Sequence, residues 1–516
     1  MKKLLSSVIL VMFLTGITHS QELLWSNSED FNGLYTGSFV NTDAYNNVFT
    51  GAKGTGKMYV IKYDQAGAIQ FIIGDDNTSS FHNMAVNNGG RSFLAGSSYQ
   101  TMTKTDGLIH AYEPDGTEHY THYYNYMDDT DEFWDIYVDE NNYAYVTGEA
   151  NDASDRYALT IKYSPSGSPQ WVQHYGSNPN KYMGMKVNVN ASGDVFATGV
   201  FANLILQTID LFVIKYDANG NLISEFETSF AGSGYSECVP QFALLDDNDN
   251  LFIGGFVSNT GTDFAGFLIR VTNGNLSWSQ IFTSPNDYVI LYDGALDAGG
   301  NIIIGGLYRD GPIDAYYAKI SPTGGLLYEK TYNGTGDGND AFTSITTRDE
   351  YTYLCGIAGG IGTMSDYLIL KVNSNGEEMW VAHYNGFGNG DDAAYDIVLD
   401  NEDNVIVTGS SEEQAGQFCT TLKYSNSLGI YDHEGLGPHA IEIYPNPAGE
   451  QAKLKYNVES ADAYYNITGV SGKIVKTCKL NKAAIHEIKL GNLPAGIYFI
   501  QISDGLKHYY AKFVRK

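Results

Sequence analysis

The sequence predicts an all-β fold: an eight-bladed β-propeller whose N-terminal strand closes the last blade, followed by a small Ig-like β-sandwich. Three observations carry this. A small residue followed by glycine recurs eight times, ending at Gly51, Gly96, Gly148, Gly199, Gly255, Gly306, Gly356 and Gly409, with intervals of 45, 52, 51, 56, 51, 50 and 53 residues. A period near 50 is the mark of a propeller or a solenoid. Each period holds four short runs of alternating, β-branched or aromatic residues separated by Asp/Asn/Gly turns, and none holds a helical period. At residue 440 the period stops and the charge changes sign.

The chain opens with a segment that lies outside this scheme. Lys2 and Lys3 precede the apolar run "LLSSVILVMFLTG", and the small residues Thr18 and Ser20 precede Gln21. This is the pattern of a secretory signal peptide, residues 1–20, with cleavage after Ser20. The run is short for a membrane span, and no later segment approaches 18 apolar residues, so no transmembrane segment is expected in the mature chain.

Residues 21–430 carry the repeats. In "FWDIYVDENNYAYVTGEANDASDRYALTIKYSPSGSPQWVQHYG" the first two runs flank "DENN" and the last two flank "SPSG", which gives four antiparallel strands, one blade. Basic residues recur on the third strand at Lys62, Lys162, Lys215, Arg270, Lys319, Lys371 and Lys423, and a turn glycine follows. Trp171, Trp278 and Trp380 mark fourth strands. The eighth unit lacks a legible fourth strand after Lys423-Tyr424, whereas "ELLWSNS" around Trp25 has the look of one with no strands before it. Joining the two chain ends in one blade closes the sheet edge at the seam. The repeats resemble bacterial propeller repeats of the SBBP type, on stretches such as "AYDIVLDNEDNVIVTGSS" (394–411). That resemblance implies a fold and no particular activity.

Charge is unevenly placed. Residues 21–439 hold 17 basic and 54 acidic residues, a net of −37, while residues 440–516 hold 11 and 6, a net of +5. A field that negative excludes nucleic acid and anionic lipid surfaces as partners of the repeats. Cys238, Cys355, Cys419 and Cys478 lie far apart with no CxxC. They form neither a disulfide framework nor a zinc site; pairing of Cys355 with Cys419 across repeats is open, and isolated buried thiols fit better.

After a short polar linker, residues 431–439, the segments "IEIYPNPAGEQAKLKY", "YYNITGVSGKIVKT" and "LPAGIYFIQISDGLKHYYAKFVRK" read as about seven short strands. Residues 440–516 closely resemble the C-terminal sorting domain of the type IX secretion system. The matching positions are Pro445, Asn446 and Pro447, then Gly472 and Lys473, then Gly496 and Tyr498 within "LPAGIY", then Gly505, and Lys512 in the last strand. The resemblance implies export through the type IX translocon and cleavage by a sortase-like peptidase in the linker. The cargo is then released or attached to surface lipopolysaccharide, so the expected location is extracellular or on the outer-membrane surface.

No stretch identifies a reaction. "GAKGTGKM" (51–58) contains GxxxxGK, but Met58 replaces the hydroxyl residue and a strand follows where a helix N-terminus is needed. GxSxG and HExxH do not occur, and no two histidines stand at metal-ligand spacing. The Asp-rich turns "DDNDN" (246–250) and "DNEDN" (400–404) lack the glycine and distant glutamate of a calcium loop, so they read as self-bonding turns.

The candidate site lies in the loops that enter the first strands. Asp128, Asp129, Asp131, Asp340, Asp391 and Asp392 are expected to gather on one face, with Phe133, Trp134, Phe342 and Tyr395 near them to stack on sugar rings. Calcium is a possible ligand there, no other cofactor is implied, and ordinary structural turns remain the simpler account of these residues. The functional expectation is a secreted or surface protein that binds glycan or protein without catalysis. The alternatives are a polysaccharide-acting glycosidase or lyase, which needs two carboxylates ~5–10 Å apart, and a purely structural or adhesion module.

Overall fold

The computed structural model describes residues 22–516 except 32–35, 55–56, 76–77, 100–103, 260–262, 287, 335, 337, 361–363, 414–415, 427–441, 457–463, 470–473, 481–484, 492 and 505–506. The signal segment and the linker 431–439 fall outside the described residues, as do Gly472, Lys473 and Gly505. The chain divides into two compact units, one of residues 21–427 and one that holds 428–516. Among the described residues the secondary structure is β throughout, apart from one 3₁₀ turn at Ala231–Ser233.

The first unit is a series of four-stranded antiparallel sheets spanning 36–75, 78–124, 131–175, 181–228, 237–282, 289–332 and 341–384. A last sheet combines 393–424 with Leu23–Glu29. The fourth and fifth sheets are linked by a single parallel pair, Ile209 with Glu237. Burial changes across each sheet. In the third, Ala144–Asn151 and Arg156–Tyr163 are buried along most of their length, whereas the fourth strand Pro169–Tyr175 is half-buried or exposed. Strands covered on both faces read as near-continuous apolar runs, which is why "AYVTG" and "ALTI" do not alternate.

Turn chemistry fixes the hairpins. Asp246 Oδ1 accepts the backbone N–H of Asn248 and Asn250 at 2.9 and 2.8 Å, and Asp249 takes φ +59°. Asp400 does the same for Glu402 and Asn404, both at 2.9 Å. Both Asp-rich turns therefore bond their own backbone.

The N-terminal strand pairs antiparallel with Gly416–Tyr424, and Trp25 stands opposite Lys423. Trp171 stands opposite Lys162 and Trp278 opposite Arg270 in the same way, so the strand enters the last sheet in the register of any fourth strand. Apolar cores lie between consecutive sheets, and one joins the last sheet to the first: Ile406, Cys419 and Trp25 pack with Val40, Val48, Ile61 and Tyr63. The succession of sheet-to-sheet cores returns to its start.

The second unit has a three-stranded sheet (Glu442–Tyr444, Gln451–Lys455, Ile485–Lys489) and a four-stranded sheet (Ile474–Lys479, Tyr464–Gly469, Gly496–Asp504, Lys507–Arg515). Leu454 and Ile488 from one and Tyr465, Ile467, Ile500 and Phe513 from the other share one core.

Cys238, Cys355 and Cys419 are buried and Cys478 half-buried, all as free thiols. Cys355 and Cys419 do not pair.

Candidate functional site

In an antiparallel four-strand meander, the loop between the second and third strands lies at the same end as the loop that leads into the next sheet. The entry-loop carboxylates Asp128, Asp129, Asp131, Asp340, Asp391 and Asp392 therefore sit at one end of the sheets, but they divide in two. Asp131, Asp340 and Asp392 are fully buried. Each holds its entry loop to the second strand of its own sheet. Asp131 accepts N–H groups of Tyr126 (2.5 Å) and Asn151 (3.1 Å), Asp340 those of Gly334 and Gly359 (2.8 Å each), and Asp392 those of Gly386 and Glu412 (2.8 Å each). Burial raises all three, Asp131 to about 7, against the opposing effect of the amide donors. Asp128 is exposed, Asp129 accepts from Lys104 Nζ at 2.7 Å, and Asp391 accepts from Ser365 Oγ at 2.6 Å. Phe133 and Phe342 are core residues, whereas Tyr395 is 41% exposed. Among the described residues, no three His, Cys, Asp or Glu side chains stand together as a metal-binding group.

A different set of carboxylates converges at the first strands. Every first strand carries a bulge within its third to fifth positions. Bulges re-aim side chains. In three sheets the bulge reads apolar–aromatic–Asp: Phe133-Trp134-Asp135, Leu291-Tyr292-Asp293 and Ala394-Tyr395-Asp396. Each of these aspartates accepts the N–H just past the bulge of the next sheet: Asp135 from Val187 (2.8 Å), Asp293 from Ile345 (2.8 Å) and Asp396 from Val40 (2.7 Å). The last of these bonds joins the last sheet to the first. Asn83 Nδ2 donates to Asp135.

Ser344 Oγ lies 3.2 Å from Asp293 Oδ2 and 3.0 Å from Asp396 Oδ1. One hydroxyl proton serves one carboxylate, so a second proton held by the pair removes the remaining repulsion. Consistent with this, burial foremost, then for Asp396 the neighbouring charge of Asp293, pushes Asp293 up to about 6 and Asp396 to about 7, and Lys186 partly opposes the rise of Asp135 and Asp293.

Toward the loop end, His82 stacks on Trp134 with ring centroids 4.1 Å apart. His82 Nε2 lies 3.3 Å from Glu132, which also accepts from Ser97 Oγ at 2.9 Å. Burial alone would raise Glu132, but the hydrogen bond and charge of His82 with Ser97 lower it below the usual range. Glu149 stands opposite Glu132 across the strand pair, and burial raises it. The surrounding loops expose large apolar tips: Tyr99, Met127, Leu204, Ile205, Leu206, Met364 and Phe387. Asn203 Oδ1 accepts the N–H groups of Ile205 (3.2 Å) and Leu206 (3.1 Å), so one tip is a bonded turn that presents Ile205 78% exposed.

The sequence reading missed Asp135, Asp293, Asp396 and the His82–Trp134 pair. The recurring triplets FWD, LYD and AYD were a usable signal, hidden because five first strands do not share it.

In the tail, Asn446 Oδ1 accepts Val514 N–H at 2.9 Å, and Ala448 N–H donates to Val514 O at 2.7 Å, which ties the Pro-Asn-Pro segment to the last strand. Tyr498 stacks on Phe513 at 5.6 Å and its hydroxyl donates to Pro494 O at 2.9 Å. Lys512 lies in that last strand. Residues 442–516 match the family model of the secretion system C-terminal sorting domain. This domain indicates export by type IX secretion. The protein is secreted or held at the cell surface, and the type IX machinery is its partner. No helix among the described residues is long and apolar enough to cross a membrane.

No curated protein matches the chain. Similar solved structures include Sqt1 from Chaetomium thermophilum, 11% identical over 78% of this chain and 100% of that one, with a TM-score of 0.44. A eukaryotic initiation factor is 8% identical over 89% and 90%, TM-score 0.41. A polysaccharide lyase, an ulvan lyase, is 9% identical over 69% and 95%, TM-score 0.40.

Proposed function

We propose that residues 21–430 are an eight-bladed β-propeller of SBBP-like repeats that the sorting domain delivers outside the cell, where it binds glycan without catalysis. The signal segment 1–20 opens the route. A sortase-like peptidase then cuts within 431–439, and the propeller is released or attached to lipopolysaccharide.

The binding face is the loop end of the sheets, where Trp134, His82 and Tyr395 offer rings for stacking on sugars, with the rim carboxylates Asp128, Asp129 and Asp391 around them. One observation favours binding over chemistry. The central carboxylates Asp135, Asp293 and Asp396 each accept a backbone N–H of the neighbouring sheet, so they brace the fold. A glycosidase needs two carboxylates free to meet the scissile bond.

The test is a broad glycan array probed with the mature exported protein. The reading expects binding to a defined glycan class, reduced at least tenfold by Trp134→Ala, with no cleavage of the bound glycan on long incubation. A blank array with folded protein contradicts it and moves the weight to protein adhesion. Cleavage contradicts the non-catalytic part.

A further inference from the structure

The two ends of the sheets differ in what they show to solvent. At the end of the entry loops, large apolar side chains stand exposed in or beside five separate loops: Tyr99, Met127, Leu204 to Leu206, Met364 and Phe387. Among the described residues, the turns at the opposite end expose one, Tyr45, and the remaining exposed apolar residues of this unit lie within strands. Charge follows the same division. Lys53, Lys57, Lys104, Arg156 and Arg309 are exposed and border the loops that join second strands to third. At the turn end the basic side chains bond to the protein itself, as Lys62 does to Pro114 O at 2.7 Å and Arg348 to Asp403 at 2.6 Å. The exposed charges there are carboxylates, among them Asp115, Glu140, Asp247, Asp349 and Glu402. The loop end also exposes Asp128, Asp263, Asp310 and Asp391, so it is mixed in sign.

The apolar tips hold their own backbone. Besides the two N–H groups that Asn203 Oδ1 accepts from Ile205 and Leu206, Gln207 N–H donates to Asn203 O at 2.8 Å. Phe387 N–H donates to Glu413 at 3.1 Å, and Met364 O accepts Gly360 N–H at 3.0 Å. A tip whose peptide groups are already bonded leaves water without stranding them, and that is the condition for entering hydrocarbon.

We propose that the loop end docks on a zwitterionic phospholipid surface. Leu204 to Leu206, Phe387 and the other tips enter the boundary between headgroups and acyl chains. The exposed lysines and arginines meet the lipid phosphates, and the ammonium groups of the lipid meet Asp128 and Asp391. Two features favour a bilayer over a protein partner or an anionic membrane. Tips on separate loops insert independently into a fluid surface, whereas a protein interface needs one closely packed core. The carboxylates among the cations, and the net charge of −37 over residues 21–439, disfavour an anionic surface and leave a headgroup that carries both signs. This inference goes beyond the glycan-binding reading and does not depend on it.

The test is co-flotation of the mature exported protein with vesicles of pure phosphatidylcholine, which carry no sugar. Wild type is expected to float with the vesicles. Ile205→Asp, a change at a side chain 78% exposed, is expected to lower the bound fraction at least tenfold with Tm unchanged. Phe387→Asp is the second variant, expected to weaken binding in the same direction, while Tyr45→Asp at the turn end binds as wild type does. No flotation of folded wild type overturns the proposal. Equal flotation of wild type, Ile205→Asp and Phe387→Asp overturns the assignment to this end. Flotation only when phosphatidylserine makes up half of the lipid overturns the zwitterionic surface. Self-association that Ile205→Asp abolishes, without flotation, assigns the tips to a protein contact and overturns the lipid one. Because the vesicles hold no glycan, a blank glycan array beside bound vesicles contradicts the glycan reading alone.

Discussion

Trp25 Nε1 donates to the backbone carbonyl of Gln65 at 3.1 Å, reaching from the last sheet to the first across 40 residues of chain. The same contact recurs inside the chain, from Trp171 to Ala218 at 3.2 Å and from Trp278 to Pro322 at 3.0 Å. In each case the indole covers a turn glycine: a Cβ on Gly67, held at φ +85°, would approach Trp25 to 2.8 Å, and one on Gly220 would approach Trp171 to 2.8 Å. The seam made by the chain ends has the chemistry of an internal one.

Trp25→Ala is therefore expected to destabilise the protein by about 2–3 kcal/mol, below the full ~3–5 kcal/mol of a buried tryptophan because Trp25 is half-buried. Denaturant titration of the purified variant measures this. A change within error of zero contradicts the seam.

Asp293 and Asp396 give stability a pH signature. Their folded pKa values, about 6 and about 7, lie above the ordinary aspartate value of 3.8. The native state therefore binds protons more tightly than the unfolded chain, and this contribution is complete near pH 4 and lost as pH rises to about 7. Tm is expected to fall between pH 5 and 7.5. Asp396→Asn, which keeps an acceptor for Val40 N–H and a donor for Ser344, is expected to flatten that slope. Equal slopes in the two proteins would refute the assignment.

The three buried loop aspartates hold backbone amides. Asp340→Ala leaves the N–H groups of Gly334 and Gly359 without their acceptor and should cost about 1–3 kcal/mol for each one left unsatisfied. Calcium and EDTA are expected to leave Tm unchanged in wild type, because both Asp340 oxygens already accept amides. A calcium-dependent rise in Tm that Asp340→Ala abolishes would show that this carboxylate binds the ion.

The thiols offer a simple check on packing. Burial raises Cys238, Cys355 and Cys419, while Cys478 is half-buried in the tail. With a thiol reagent under native conditions, Cys478 is expected to react first and the other three only on unfolding, and reductant should not change Tm. Rapid labelling of Cys355 or Cys419 would contradict the packing.

Strand order, turns and the basic position of seven of the eight third strands were legible because they recur with the repeat, and periodicity averages out local noise. The eighth unit was legible by what it lacked, since Lys423 calls for a partner strand and Trp25 supplies it. The site was less legible for a physical reason. An aspartate before a strand looks the same in sequence whether it faces water, as Asp128 does, or two backbone amides, as Asp340 does. Its fate is decided by whether its entry loop folds back over it. Asp135 and Asp396 were overlooked because a bulge breaks the alternation that ordinarily tells which face a side chain takes.

The most direct measurement on the proposed closed ring of eight sheets is a cross-link between its chain ends. Asn27 and Thr421 are directly opposite in the pairing of the N-terminal strand with the last sheet. In the variant carrying Asn27→Cys and Thr421→Cys, oxidation is expected to form a disulfide joining the two ends, seen as faster migration on a non-reducing denaturing gel and as a raised Tm, both reversed by reductant. If the folded protein forms no such bond while the thiol introduced in the N-terminal strand reacts freely with a thiol reagent, that strand does not complete the last sheet, and the ring is open.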